Sequence, residues 1–320
     1  MPHPNNNNWI SLLVGEQVDA PPVQSIEELP HIRAAMDFTH LNTDMPKMGE
    51  IHERVVLRRR DGWDLTAEIY VPEGDGPFPV ILYMHGGGWC VGSPVGVRRK
   101  TMRLAEQGFV IVNLDYSLAP ERPFPNAPED TVYAARWITL NIGGFKGDGD
   151  NLIISGDSAG ANLSSATIHA LHGDADAVDG GDLADVPVKF SGALLYYGVF
   201  DFPLMTAEPL SNLGWVEVAF NRAYLGPNFL GHQRDPLVSP ILSPHLSEFP
   251  PCYLVCGDED SLLSNTLAMT KELANANVPT TLSVPAGFDH TFDYVEHKLE
   301  GVTPEIERIA GWLKRVTSRA

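Results

Sequence analysis

The sequence is poor in cysteine and in basic residues, and both shortages limit what the protein can do. Only three of its 320 residues are cysteine, and 22 Lys and Arg stand against 41 Asp and Glu, which gives a formal net charge of −19. A surface of that sign repels nucleic acid and anionic membranes and offers no basic patch for phosphate. We therefore expect a small-molecule partner, with no nucleic acid and no membrane.

The cysteines are also badly spaced for a disulfide. Cys252 and Cys256 lie four residues apart in one predicted strand, which separates them by about 13 Å, too far for an S–S bond. Few thiols without a bridge indicate a reducing compartment. The sequence has neither the basic, apolar leader of a signal peptide nor a run of about 20 apolar residues, and we predict a cytoplasmic protein.

The order of the apolar segments predicts the fold class. A hairpin that turns at Asp61-Gly62 is followed by continuous apolar runs, which are typical of strands buried on both faces. These runs cover 79–85, 109–116, 151–156, 190–198, 251–257 and 280–286. Helical stretches separate them, at 127–142, 159–171, 261–276 and 303–317. The alternation predicts an α/β fold with about eight mostly parallel strands and helices on both faces.

Two segments interrupt this alternation, and we predict that together they form a cap. Residues 1–50 contain no predicted strand, and residues 199–240 are rich in aromatic side chains, Pro and Gly. The predicted organisation is therefore an N-terminal part of the cap at 1–50, a catalytic core at 51–198, a cap insertion at 199–240, and the rest of the core at 241–320. A third unusual segment, 173–186, is acidic, but its carboxylates are spaced one residue away from a calcium-loop pattern, which favours a solvated loop.

The strand at 151–156 runs directly into Gly156-Asp157-Ser158-Ala159-Gly160, and a predicted helix follows. Strand, G-x-S-x-G and helix are the context of a nucleophile elbow, in which a sharp turn lifts the serine hydroxyl clear of the sheet. Ser158 is therefore the candidate nucleophile. The alternative, a tight turn with an incidental serine, does not require the second motif found upstream.

That second motif is His85-Gly86-Gly87-Gly88-Trp89, directly after the strand at 79–85. Successive glycines leave backbone N–H groups free to point into a cavity, as in an oxyanion hole. A phosphate-binding loop is the competing interpretation, but the motif has no Lys and no G-x-G-x-x-G spacing. We expect His85 to hold the loop by hydrogen bonds.

Taken together, four stretches resemble the hormone-sensitive-lipase-like esterases (bacterial family IV) of the α/β-hydrolase superfamily. They are HGGGW at 85–89, DYSLAPERPFP at 115–125, GDSAG at 156–160 and GFDH at 287–290, and the resemblance spans roughly residues 50–300. It implies the α/β-hydrolase fold with a cap, hydrolysis of carboxylic esters, and no cofactor or metal.

The resemblance also implies a role for each matching residue. Ser158 matches the nucleophile, His290 the general base and Asp260 the acid, in the chain order Ser, Asp, His that this fold uses. The oxyanion donors match the backbone N–H groups of Gly87, Gly88 and Ala159. Supporting roles in bracing the loops fall to Asp157, Asp115 and Glu121.

Two of these assignments depart from the family pattern. The acid lies in a cluster, Asp258-Glu259-Asp260, and is followed by Ser261 where the family often has Pro. Asp258 is therefore the alternative acid. Thr291 follows the histidine where the family usually has Gly. His297 lies further along and is expected to point elsewhere.

The substrate and the class of function stay open at this stage. We expect Trp89, Tyr196, Trp215 and Phe220 to line the substrate pocket, although each could instead belong to the core of the cap. The predicted function is a serine carboxylesterase for short- to medium-chain esters. The alternatives are an amidase or arylformamidase with the same triad, or a non-catalytic small-ligand receptor of the same fold, in which the histidine would be replaced. The sequence leaves open whether the protein is a homodimer.

Overall fold

Eight strands form one sheet, and the turns at one edge of it carry the predicted site. The computed structural model describes residues 26, 29–60, 62–173, 178, 181–206, 215–227, 229–298 and 302–318. The strands are β1 (Glu50–Arg60), β2 (Trp63–Val71), β3 (Phe78–Met84), β4 (Val110–Asp115), β5 (Gly147–Asp157), β6 (Phe190–Tyr196), β7 (Cys252–Val255) and β8 (Thr280–Ser283). The described α-helices are α1 (Leu29–Ala35), α2 (Arg98–Ala105), α3 (Asn126–Asn141), α4 (Ala159–His172), α5 (Phe202–Thr206), α6 (Trp215–Leu225), α7 (Leu263–Asn275) and α8 (Thr303–Thr317).

The strand order is β1-β2-β4-β3-β5-β6-β7-β8. Strand β2 runs antiparallel to both of its neighbours, and all the other pairings are parallel. The predicted fold class is confirmed. Since parallel strands end at the same edge of a sheet, the turns after β3, β5, β7 and β8 lie near one another.

Both faces of the sheet are buried, which explains why the strands have continuous apolar sequences. Neighbouring residues of β5 show this directly, because Ile154 belongs to one hydrophobic cluster and Ile153 to another. Helices α3 and α4 pack into the first cluster, and helices α2 and α8 into the second. The core therefore has two layers, one on each side of the sheet.

The predicted boundaries agree with the observed elements within a few residues in most places. The hairpin pairs Arg60 with Trp63 in register, while Asp61, in its predicted turn, lies outside the described residues. The last strand is shorter than the predicted range 280–286 and ends at Ser283, because Pro285 has no backbone N–H to continue a ladder. The three cysteines are free and buried.

Described parts of both cap segments pack on the first hydrophobic cluster. Helix α1 contributes Leu29 to it, and α6 contributes Phe220 and Tyr224. The two segments hold the same short stretch of the core, since Arg33 Nε donates to the Cys90 carbonyl and Cys90 Sγ lies 3.6 Å from the Phe220 carbonyl oxygen. Residues 1–25 and 207–214 are outside the described residues, and the division into cap and core stays a prediction.

Candidate active site

Ser158 lies in a strained turn between β5 and α4. Its φ of 54° and ψ of −117° are unusual for a residue with a side chain, and such strain persists only where the surroundings impose it. The flanking glycines make the turn possible: a Cβ on Gly160 would lie 2.0 Å from the Met84 carbonyl oxygen, and one on Gly156 would lie 2.4 Å from the Gly160 backbone. The sequence therefore needs glycine at both positions.

His290 reaches the serine from the loop after β8. Its Nε2 lies 3.1 Å from Ser158 Oγ, and its Nδ1 lies 2.8 Å from Asp260 Oδ2. Asp260 comes from the loop after β7, and its side chain is fully buried, whereas the His290 side chain is 31% exposed. Three loops at one edge of the sheet thus bring together the three residues that the sequence singles out.

The three neighbouring acids of the β7 loop have different surroundings. Asp260 contacts His290 and also accepts a hydrogen bond from the Leu262 N–H at 2.8 Å. Asp258 instead accepts from the Gly287 N–H at 2.6 Å, so that it ties the acid loop to the histidine loop. Glu259 is exposed. The geometry therefore favours Asp260 over Asp258 as the partner of the imidazole.

The electrostatics of the site suit a general base. Burial by itself would lower the pKa of His290, but the carboxylate of Asp260, with smaller contributions from Asp157 and Asp289, raises that pKa above its usual value. A raised pKa means that the imidazolium is stabilised, as is needed when histidine accepts a proton from serine.

The loop after β3 carries backbone N–H groups without a backbone partner among the described residues. Gly87 and Gly88 have φ values of 120° and 55°, and within the described part of the chain neither donates a backbone hydrogen bond from its N–H. Ala159 begins α4, and the N–H of a first helical residue has no partner within its own helix. These are the donor groups that an oxyanion hole requires.

His85 and Asp157 hold this loop from the side of the core. His85 is fully buried, its Nδ1 lies 2.7 Å from the Gly86 carbonyl oxygen, and its ring stacks on Tyr116. Burial lowers the pKa of His85. Asp157 accepts a hydrogen bond from the Gly86 N–H at 3.1 Å. Both residues brace the loop, as expected from the sequence.

The other two predicted braces act further from the serine. Asp115 accepts from the Thr66 hydroxyl in the neighbouring strand at 3.2 Å. Glu121 pairs with Arg33 of α1, and Arg33 also donates to the carbonyl oxygens of Cys90 and Ala119. Sequence analysis missed Arg33, because nothing in α1 indicates that its arginine reaches loops 57 to 88 residues further along the chain.

The aromatic residues predicted to line the pocket separate into different environments. Phe220 lies against the oxyanion loop, since a Cβ on Gly88 would be 2.1 Å from its ring. Trp89 stacks on Tyr224 of α6 with ring centroids 4.7 Å apart, so it packs against the segment predicted to form the cap. Tyr196 does not lie with them, contrary to the expectation that it lines the pocket. It belongs to the hydrophobic cluster on the other face of the sheet, because side chains alternate along a strand. The side chain of Trp215 lies outside the described residues.

No group of three or more His, Cys, Asp or Glu side chains that could hold a metal ion occurs among the described residues. The acidic segment 173–186 is described only in part, and there Asp182 accepts a hydrogen bond from the Tyr133 hydroxyl. Nor is any helix in the described part of the chain long and apolar enough to cross a membrane.

Comparison with known proteins agrees with this architecture. A family model described as the alpha/beta hydrolase fold matches residues 81–294, about two thirds of the chain. The chain belongs to the alpha/beta hydrolase family. Its resemblance to esterases of that superfamily is confirmed by curated relatives and solved structures that carry esterase names.

Two curated relatives and one solved structure show the extent of the similarity. The chain is 28% identical over 279 residues to versiconal hemiacetal acetate esterase of Dothistroma septosporum, covering 80% of this chain and 83% of that protein. It is 27% identical over 266 residues to ethyl acetate hydrolase of Pseudomonas putida, covering 79% and 80%. A hyperthermophilic esterase from the archaeon Pyrobaculum calidifontis superposes with a TM-score of 0.81 at 25% identity, covering 98% of this chain and 99% of that one.

Proposed function

We propose that this alpha/beta hydrolase is a serine carboxylesterase that hydrolyses short- to medium-chain esters through an acyl-enzyme. The observation that carries the proposal is the continuous hydrogen-bonded relay from Ser158 Oγ through His290 to Asp260, with separations of 3.1 and 2.8 Å. The esterase names of its relatives agree with this chemistry.

The proposed reaction follows from the position of each atom. His290 Nε2 accepts the hydroxyl proton as Ser158 Oγ bonds to the ester carbonyl carbon, and the carbonyl oxygen becomes an oxyanion. When the tetrahedral intermediate collapses, the C–O bond to the alcohol breaks and His290 returns the proton to the departing alkoxide. Water then attacks the acyl-enzyme by the same route, and the acid product leaves with Ser158 restored.

Asp260 and the oxyanion donors stabilise the charges that form in these steps. Asp260 fixes the Nδ1–H tautomer of His290 and stabilises the imidazolium. The N–H groups of Gly87, Gly88 and Ala159 are assigned to the oxyanion, and in comparable sites one such donor is worth about 3–4 kcal/mol. Because this stabilisation exists only when charge has developed, it accelerates the reaction rather than tightening substrate binding.

The packing around the oxyanion loop supports a preference for small acyl groups. Phe220 lies directly against Gly88, and the Trp89 ring is occupied by its stack on Tyr224. Bulky aromatic side chains so close to the donor groups leave little room beside them, which favours short chains over long ones.

Kinetics on p-nitrophenyl esters of increasing chain length test the proposal. Wild-type protein is expected to hydrolyse short esters fastest and to be labelled at Ser158 by a fluorophosphonate, and Ser158→Ala is expected to lose both properties while remaining folded. Faster hydrolysis of anilides or N-formylkynurenine would show an amidase or arylformamidase instead. Ligand binding without turnover or labelling would show a receptor.

We further propose that the protein acts in the cytoplasm. Support comes from its three free, buried thiols, which are typical of a reducing compartment. A homodimer remains a prediction, and size-exclusion chromatography with light scattering checks it.

A further inference from the structure

A buried lysine lies behind the candidate active site, on the side away from the cap. Lys100 belongs to α2, and its side chain is only 6% exposed. Its Nζ is 2.7 Å from Asp293 Oδ2 and 3.4 Å from Asp157 Oδ1. A charged side chain is rarely buried unless it is paired, and here one ammonium is shared between two carboxylates.

Aromatic rings enclose this ammonium. Its Nζ lies between 4.4 and 5.5 Å from the ring centroids of four tyrosines, which are Tyr83, Tyr196, Tyr197 and Tyr294. At such distances the faces of the rings attract a cation. Sequence analysis does not single out Lys100, which ends a run of three basic residues.

The two carboxylates belong to the two loops that carry Ser158 and His290. Asp157 immediately precedes Ser158 and accepts from the Gly86 N–H, while Asp293 lies three residues after His290. Both carboxylates also accept hydrogen bonds from tyrosine hydroxyls: Tyr83 and Tyr294 donate to Asp157, and Tyr197 donates to Asp293. Burial, reinforced by these carboxylates, raises the pKa of all three tyrosines, so they remain protonated donors.

One more contact links this cluster to the base. The Tyr197 ring lies edge-on to the His290 imidazole, with centroids 4.7 Å apart. A displacement of Asp293 would therefore move Tyr197, and with it one wall against which His290 rests. The serine side has an equally direct connection, because Asp157 and Ser158 are consecutive residues.

We propose that Lys100 is a positioning residue, which holds the nucleophile elbow and the histidine loop at a fixed separation by binding Asp157 and Asp293 together. This inference rests on the proposed function of Ser158 and His290. Lys100 does not contact the reacting atoms. It acts through the two aspartates and balances part of their negative charge.

The charges around His290 give this role a measurable consequence. The Asp260 carboxylate and the neutral Tyr197 ring contact the imidazole, and Asp157 of the elbow and Asp289 of its own loop act on it through their charges. Beyond Lys100, the basic side chains Arg99 and Arg103 of α2 are paired with Glu296. Removing the Lys100 charge leaves Asp157 and Asp293 uncompensated, which favours the imidazolium and raises the pKa of His290.

The first experiment compares Lys100→Met with Arg98→Met, a matched control. Arg98 lies on the same helix and also pairs with a buried carboxylate, that of Glu68, but it does not touch either loop of the site. For Lys100→Met we expect kcat to fall by about tenfold to a hundredfold with little change in KM. In a plot of kcat/KM against pH, the acid limb, where activity falls as His290 becomes protonated, should move to higher pH by about 0.5 to 1 unit. Arg98→Met should leave that limb in place.

A Lys100→Met protein with wild-type kcat and an unmoved acid limb would overturn the proposal. So would a loss of activity without any movement of the limb, because that result is what general destabilisation produces. If Lys100→Met does not fold, the pH dependence of kcat/KM for the Asp293→Asn variant tests the inference instead. Loss of that negative charge should move the acid limb to lower pH, and an unmoved limb would then contradict the inference.

The double variant Lys100→Met/Asp293→Asn provides a rescue test. Removing one positive and one negative charge together should return the acid limb towards the wild-type position, although the tie between the loops stays broken. A double variant whose acid limb stays displaced as far as in Lys100→Met would contradict charge balancing by Lys100.

The rate of Ser158 labelling by a fluorophosphonate separates this inference from the proposed function. Labelling needs the serine and its base but no ester turnover. If the wild-type protein hydrolyses no ester yet is labelled, the substrate assignment is wrong, and the Lys100 inference is still decided by the pH dependence of labelling. If esters are hydrolysed and Lys100→Met labels like wild type at every pH, only the Lys100 inference fails.

Discussion

Ser158 has two unlike surroundings, one on the side of the core and one on the side of the predicted cap. Towards the core, the buried Asp157 carboxylate accepts hydrogen bonds from the Tyr83 and Tyr294 hydroxyls and from the Gly86 N–H. Towards the cap, contacts are mostly between rings, and within the described part of the chain the buried Tyr224 hydroxyl has no hydrogen-bond partner.

The difference indicates that the core side positions the catalytic groups and that the cap side shapes the pocket. Hydrogen bonds are directional, so a connected set of them holds the serine, the histidine and the donor groups at defined distances. Ring stacking tolerates sliding, so the cap can define a pocket without setting bond geometry. Substitutions on the core side should therefore change kcat, and those on the cap side should change stability and chain-length preference.

The largest expected effect comes from Asp260→Asn, which acts on the core side. The amide keeps the shape but favours the wrong imidazole tautomer, and in the serine-protease template the equivalent change costs about 10⁴ in turnover. We expect kcat to fall by at least about a hundredfold, measured on a short p-nitrophenyl ester. The acid limb should also move to lower pH, because the carboxylate that raises the pKa of His290 is gone.

Asp258→Asn is the matched control for this change. The Asp258 side chain accepts a hydrogen bond from the Gly287 N–H of the histidine loop, and an amide oxygen can accept the same bond. We expect less than about a tenfold loss in kcat. A severe Asp258 variant with a mild Asp260 variant would mean that Asp258 is the acid.

The next effect is expected at the boundary between the two sides, from Gly88→Ala. The new Cβ would lie 2.1 Å from the Phe220 ring, and the residue has a positive φ of 55°. Either the cap or the oxyanion loop must shift, and loss of one donor costs about a hundredfold or more in kcat. Steady-state kinetics with a short ester measure it.

Gly96→Ala serves as the control for Gly88→Ala. Its Cβ would meet Ser93 at 3.5 Å and Phe38 at 3.8 Å, which are ordinary contacts. Activity should stay within about twofold of wild type. Equal damage from both alanines would show that the oxyanion loop tolerates no added side chain anywhere, and that Phe220 is not the cause.

A third prediction compares two tyrosines directly. Tyr294→Phe removes a 2.7 Å hydrogen bond to the buried Asp157 carboxylate and should lower the free energy of unfolding by about 1.5–3 kcal/mol. Tyr224→Phe removes a hydroxyl that lacks a partner within the described residues, and should change it by less than about 0.5 kcal/mol. Urea denaturation of both variants measures the two changes in the free energy of unfolding. Equal losses would show that the two sides of Ser158 do not differ in this way.

The smallest effect is expected from Glu121→Gln, in the ion pair with Arg33 of the cap. The Glu121 side chain is 55% exposed, and exposed ion pairs contribute less than about 1 kcal/mol. Arg33 lowers the pKa of Glu121, so the pair stabilises the fold above the unfolded pKa of glutamate and less as pH falls through the folded value. The difference in melting temperature between variant and wild type should shrink as the pH falls below the ordinary pKa of glutamate, about 4.3.

The sequence by itself determined the fold class, the strand order along the chain and the position of the candidate nucleophile. These are local properties: continuous apolar runs report strands buried on both faces, and Gly156 and Gly160 report a turn with no room for a Cβ. Short-range patterns of this kind survive folding, because the backbone of each segment imposes them.

Only the tertiary structure decided which neighbouring residues meet across the sheet. Asp258 and Asp260 differ by two positions, and their partners come from a loop about 30 residues away. Tyr196 was expected to line the pocket but packs on the other face of the sheet, because a continuous apolar strand does not reveal which of its faces meets the site. Lys100 is not singled out by the sequence, and its burial depends on Asp157 and Asp293, which β5 and the histidine loop place beside it. Long-range charge pairing has no signature in the local sequence, since it depends on loops that are brought together by the sheet.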